Sequence, residues 1–204
     1  MTILQTIILG IIEGITEFLP ISSTGHLILA SKLLSLENSE FLKSFEIIIQ
    51  LGAILAVILL YAKSLFDWNN IKKIIVGFIP TGIIGLLLYK VVKTYFLDNE
   101  NVVLWSLFIG GLILIIFDLI NKRKVLLQNS TSDTNDTNNI STISYKQSFI
   151  IGLFQSISII PGVSRSAATI IGGLSLGIDR QLIVKFSFLL AVPTMIVASG
   201  YDIL

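Results

Sequence analysis

Residues 102–120 read VVLWSLFIGGLILIIFDLI, nineteen positions with a single charge at Asp118. A run that is apolar on every side leaves few folding options. About 20 helical residues at ~1.5 Å each cross the ~30 Å hydrocarbon layer of a bilayer. Inside that layer every backbone N–H and C=O must be satisfied within the protein, which a helix achieves alone. Residues 45–62, 74–92 and 182–204 form similar runs. Only 13% of the 204 residues are charged, against about 25% in soluble domains, and mean hydropathy is +0.88. A soluble helical protein would show polar outer faces, and these runs have none. The expected fold is an all-α, polytopic integral membrane protein, one membrane domain over 1–204.

The net charge of +1 sets up no field for nucleic acid, so no nucleic-acid partner is expected. Zero cysteines exclude disulfides, thiol catalysis and cysteine metal sites. The opening MTILQTIILG lacks a basic stretch and a small-residue cleavage site, and reads as mature structure. Residues 128–144, QNSTSDTNDTNNISTIS, have no apolar periodicity and read as a mobile linker within a polar loop at 121–147. Lys63, Lys72 and Lys73 mark loop 63–73, and Lys122, Arg123, Lys124 and Lys146 mark loop 121–147. Loop 93–101 offsets Lys93 with Asp98 and Glu100. The positive-inside rule puts the first two in the cytoplasm and the third outside.

Two apolar regions, 1–19 and 149–178, are interrupted by polar clusters, Pro and Gly. ILGIIEGITEFLPISSTGH (8–26) aligns with IIGLFQSISIIPGVSRSAAT (150–169): Gly10 falls on Gly152 and Glu13 on Gln155, both 142 positions on (152 − 10, 155 − 13). Pro20 falls one position from Pro161, and FEIIIQLGAILAV downstream resembles FSFLLAVPTMIVA. Three spans separate the copies, so they are inverted. Repeat one covers about 1–92 and repeat two about 147–204. Inverted repeats with re-entrant, broken helices bring their interrupted segments together near the bilayer midplane.

Glu13 and Glu17 are four apart and share a helix face. Carboxylates at bilayer depth are costly and mark function. A nearby pair favours a bridging hard divalent cation, Mg²⁺ or Ca²⁺, which takes oxygen ligands; the plain alternative puts both in interfacial water. Pro20 stops a helix, and Ser22, Ser23 and Thr24 suit the N-cap of the next, whose free N–H groups favour an anion. His26, a turn later, can serve as acid, base or nucleophile toward phosphorus. In PGVSRSAAT, Pro161-Gly162 breaks the chain, Ser164 and Ser166 can cap, and Arg165 matches phosphate oxygens. The plain alternatives are serines bonded only to backbone and an Arg165 that snorkels to headgroups. Carboxylates with arginine and helix N-termini together suit a phosphate or diphosphate with a divalent metal. An inverted-repeat transporter or flippase for a lipid phosphate would show many of the same features.

EGITEFLPISSTGH and PGVSRSAAT resemble the two signature regions of the undecaprenyl-diphosphate phosphatase, or bacitracin-resistance, family, and the resemblance covers essentially the whole chain. It implies a multi-pass enzyme of the bacterial plasma membrane, opening to the outer face. Such an enzyme hydrolyses undecaprenyl diphosphate to the monophosphate and inorganic phosphate, recycles the cell-wall lipid carrier and confers bacitracin resistance. By position, Glu17, Ser23, His26 and Arg165 would be catalytic. Ser22, Thr24, Gly162, Ser164 and Ser166 would contact substrate, and Glu13 with Glu17 would hold the divalent cation. Ser23, His26 or water remains open as nucleophile. The partners implied are the polyprenyl diphosphate and membrane lipids, with a homodimer left open. Two departures stand out. Ala167 replaces the family's usual Gly after SRS, a methyl expected to be tolerated. The family also usually continues through further helices, so repeat two is read as incomplete after Leu204.

Overall fold

The structure, a computed structural model, describes residues 1–37, 39–96, 100–128 and 140–203. Among these, the regular structure is entirely helical: α1 (Ile3–Thr16), α2 (Ser23–Leu33), α3 (Glu40–Leu65), α4 (Trp68–Tyr95), α5 (Glu100–Gln128), α6 (Tyr145–Gln155), α7 (Arg165–Ser175) and α8 (Arg180–Ile203). Short 3₁₀ turns at Ile140–Thr142 and Ser156–Ile159 flank α6.

The four apolar runs fall on α3, α4, α5 and α8, as Phe41–Leu65, Trp68–Val92, Asn101–Ile120 and Arg180–Gly200. α2 and α7 have 11 residues each. At ~1.5 Å per residue they reach about halfway through the hydrocarbon layer. The halves also begin alike. Thr2 and Gln5 form a capping box at α1, and Ser144 and Gln147 form one at α6, again 142 positions on (144 − 2). The spans of α3, α4 and α5 lie between them.

Repeat one packs Leu9, Leu27, Ala30 and Leu42 between α1, α2 and α3. Repeat two forms the larger cluster, where Ile151, Ile183, Phe186, Leu189 and Leu190 are fully or almost fully buried. α8 is the central post: 56% of its spanning window is buried, against 6% in α5, which is exposed along most of its length. α4 and α6 approach backbone to backbone, and a Cβ on Gly152 would overlap the carbonyl oxygen of Gly77. Small residues allow such contacts where lipid supplies no hydrophobic drive. Beside it, Gln155 Nε2 donates to Thr81 Oγ1 (3.1 Å) and Thr194 Oγ1 (2.9 Å), tying α6 to α4 and α8 next to Pro80 and Pro193.

The loops differ from expectation in three places, one being that residues 121–128 of the expected 121–147 loop continue α5. Between α3 and α4 only residues 66–67 are non-helical; Lys63 ends α3, and Lys72 and Lys73 lie in the first turns of α4. The end of the polar segment is packed structure and not mobile linker. Ile140 and Ile143 are buried, and Lys73 Nζ donates to the carbonyls of Ile140 (3.2 Å) and Ser141 (2.6 Å). Two isoleucines among polar neighbours give that stretch an apolar anchor, and the lysine satisfies its carbonyls. Residues 129–139 and Asp98 lie outside the described residues, as do the side chains of Lys93, Glu100, Lys122, Arg123 and Lys124.

Candidate active site

Two interrupted turns build the site. After α1 the chain turns through residues 17–21, and Ser22 caps α2. Its Oγ accepts from Gly25 N (3.4 Å), and its φ of 65° is rare for a side-chain-bearing residue. Such a conformation costs of order 1–3 kcal/mol and persists only where surroundings fix it. In the second turn, Gly162 at φ 89° reverses the chain. A Cβ there would lie 2.6 Å from the Val103 carbonyl oxygen, so glycine is required for both conformation and space. Ser164 caps α7 by accepting from Ala167 N (3.2 Å), so the Ala167 methyl leaves the helix start intact. Both turns rest on α5, Gly162 against Val103 and Ser106, and Gly25 against Leu107.

The turns meet at Glu17. Arg165 Nη2 donates to Glu17 Oε1 at 2.7 Å, and the side chains are only 11% and 7% exposed. Ser23 Oγ donates to the other oxygen, Oε2. One carboxylate thus joins a cation of repeat two to a hydroxyl of repeat one. Ser166 Oγ adds a second link to the Leu19 carbonyl (2.8 Å). Snorkelling to headgroups is thereby ruled out for Arg165. His26 Nδ1 lies 2.7 Å from the Ser22 carbonyl oxygen. A carbonyl only accepts, so Nδ1 carries the hydrogen.

Two expectations change in detail. Ser164 alone caps α7, because Ser166 is turned to Leu19. Of the three hydroxyls before α2, Ser22 caps, Ser23 holds Glu17 and Thr24 is exposed on the first turn. Sequence reading also missed Ser187 and Thr169. The Ser187 carbonyl accepts from Arg165 Nη1 (3.2 Å), and its hydroxyl lies 2.6 Å from that of Thr169; both residues are fully buried. The available signal was a serine inside the apolar stretch FSFLLAVP, where lipid-buried hydroxyls need partners.

Glu13 is 1% exposed, and neither carboxylate oxygen has a hydrogen-bond partner. An ionised carboxylate left like this is costly unless paired or ligated. It lies within electrostatic reach of Glu17 and Arg165. Two free, hard oxygens fit a divalent cation such as Mg²⁺ or Ca²⁺. Among the described residues no three acidic or imidazole groups converge to enclose a metal, so a cation there would take hydroxyl, water or substrate oxygens as its remaining ligands.

Comparison with known proteins settles the relationship. The family model described as bacitracin resistance protein BacA matches residues 6–204. The chain belongs to the bacitracin resistance protein BacA family. It is 52% identical over 203 residues to the undecaprenyl-diphosphatase of Sulfurihydrogenibium sp., covering 100% of this chain and 76% of that protein. It is 50% identical to the undecaprenyl-diphosphatase of Aquifex aeolicus, with the same coverage. The Wolinella succinogenes undecaprenyl-diphosphatase is 48% identical over 204 residues, covering 100% of this chain and 75% of that protein. Both turns of the site and all four spans lie inside the BacA match.

Proposed function

We propose that this chain hydrolyses undecaprenyl diphosphate to undecaprenyl phosphate and inorganic phosphate, with the chemistry centred on Glu17, Ser23 and Arg165. Its relatives carry the name of that activity. The carrying observation is the Glu17 carboxylate held between the Arg165 guanidinium and the Ser23 hydroxyl, at the meeting of two half-crossing helices.

Phosphoryl transfer depends mostly on positioning and charge neutralisation. Arg165 is held from behind by the Ser187 carbonyl and offers its planar donor set to the diphosphate oxygens. The N-termini of α2 and α7, with Ser22, Thr24, Gly162, Ser164 and Ser166 around them, add N–H and hydroxyl donors. Ser23 is the nucleophile in this reading, because its hydrogen already lies on Glu17, which is placed to receive it as base. Ser23 Oγ bonds to the terminal phosphorus, the bond from that phosphorus to the bridging oxygen breaks, and the lipid leaves as monophosphate. Water then attacks the phosphoserine, and His26 Nε2 is the base for that water. Glu13, with Glu17 nearby, would hold the divalent cation, which supplies neutralisation of phosphate charge. The basic residues around the α3–α4 connection and toward the end of α5 support an orientation with the site open to the outer face of a bacterial plasma membrane.

The test is phosphate release from a polyprenyl diphosphate by purified protein. Release with Mg²⁺ or Ca²⁺ that stops with EDTA and returns on adding metal supports the reading. Binding of the lipid without phosphate release under any metal condition refutes it in favour of a carrier.

A further inference from the structure

Glu46 lies near the start of the α3 span, in the stretch FEIIIQLG. It sits between Phe45 and Ile49, which pack onto the Leu9–Leu27–Ala30–Leu42 cluster, so its helix face is turned toward α1 and α2. It is half-buried and close enough to Glu13 for the two charges to repel. Beside it lies Ser31 of α2, 6% exposed, whose hydroxyl has no hydrogen bond of good geometry. Three helices therefore bring two carboxylates and a hydroxyl together, with Glu13 Oε1, Glu13 Oε2 and Ser31 Oγ all buried and unpartnered.

Charge balance decides what such a place takes. The charges that reach Glu13 are Glu17, Glu46 and Arg165. When ionised, three carboxylates against one guanidinium leave two negative charges, and the guanidinium is already committed to Glu17. Like charges in a low-dielectric interior are relieved by proton uptake or by a counter-ion, and one divalent cation matches the excess. An all-oxygen donor set of carboxylates and hydroxyl suits a hard cation.

We infer that Glu46 and Ser31 complete a divalent-cation site with Glu13 between α1, α2 and α3, beside the Glu17–Arg165 pair and separate from it. The inference rests on the phosphatase reading only for what the cation is used for. Glu17 then serves Arg165 and Ser23, and the cation is anchored one layer away by a residue of the third helix. Ligation from α1, α2 and α3 together also makes cation binding a clasp on repeat one.

The test is Mn²⁺ binding to the purified full chain, read as loss of the free-ion EPR signal, with Ca²⁺ as competitor. The wild type binds one ion. Glu46→Gln weakens affinity about tenfold or more, Ser31→Ala weakens it severalfold, and Ser23→Ala leaves it unchanged. Glu46→Gln also melts no lower than wild type without metal, since a buried charge is removed, while losing the rise in melting temperature that Ca²⁺ gives the wild type. If that variant does not insert, Glu46→Asp withdraws the carboxylate by one methylene and must also weaken binding. Wild-type affinity in the Glu46 variant, or no ion bound by wild type, overturns the site. Phosphate release by the same sample judges the phosphatase reading separately. Release without Mn²⁺ binding sinks only the cation site; Mn²⁺ binding without release sinks only the phosphatase.

Discussion

Replacing Glu17 with glutamine keeps the side-chain shape and removes one charge. Arg165 then faces only neutral partners, the Ser187 carbonyl at 3.2 Å and the Met195 sulfur at 3.6 Å. Removing one partner of a buried ion pair costs about 3–5 kcal/mol, mostly from the stranded charge. Glu13 also attracts Arg165, which favours the low end, about 3 kcal/mol. For a chain of this size, each kcal/mol moves the melting temperature by roughly 2–4 °C, so a drop of about 6–12 °C is expected. Arg165→Met should cost a similar amount, because Glu17 keeps only the Ser23 hydroxyl. The double variant carries neither charge and should be less destabilised than the sum of the singles by about 2–3 kcal/mol. The assay is thermal unfolding of all four proteins in one detergent, followed by intrinsic fluorescence. Additivity within about 0.5 kcal/mol would show that the contact between the repeats carries no coupling energy, and the argument that it locks the site would fail.

Other expectations follow from the same contacts. Gly152→Ala should destabilise strongly, by more than about 3 kcal/mol, because its Cβ overlaps the Gly77 carbonyl. Gly110→Ala, with open space around it, should melt within a degree or two of wild type. Ser166→Ala removes the buried link to Leu19 and should cost about 1–3 kcal/mol in the same melt. Ser23→Ala should reduce phosphate release to background while lipid binding, measured by co-purification, is retained; turnover near wild type would move the nucleophile's role to His26 or water.

Much of this protein can be read from its sequence. Apolar runs longer than a bilayer is thick permit little but spanning helices, and hydroxyl-rich breaks after Pro20 and Pro161 announce half-helices whose N-termini need partners. The offset of 142 recurs in the capping boxes at Thr2 and Ser144, as a duplicated unit that keeps its spacing would give. Those signals are local: length, period and caps are settled within a few residues of chain. Contacts between distant segments are not. That Glu17 pairs with Arg165 and that Ser166 links to Leu19 while Ser164 caps were decided only when the helices packed. Hydropathy cannot say which face of an all-apolar helix meets protein. In lipid that choice is made by close packing at glycines such as Gly77 and Gly152 and by the need of each buried polar group for a partner, and both are properties of the assembled bundle.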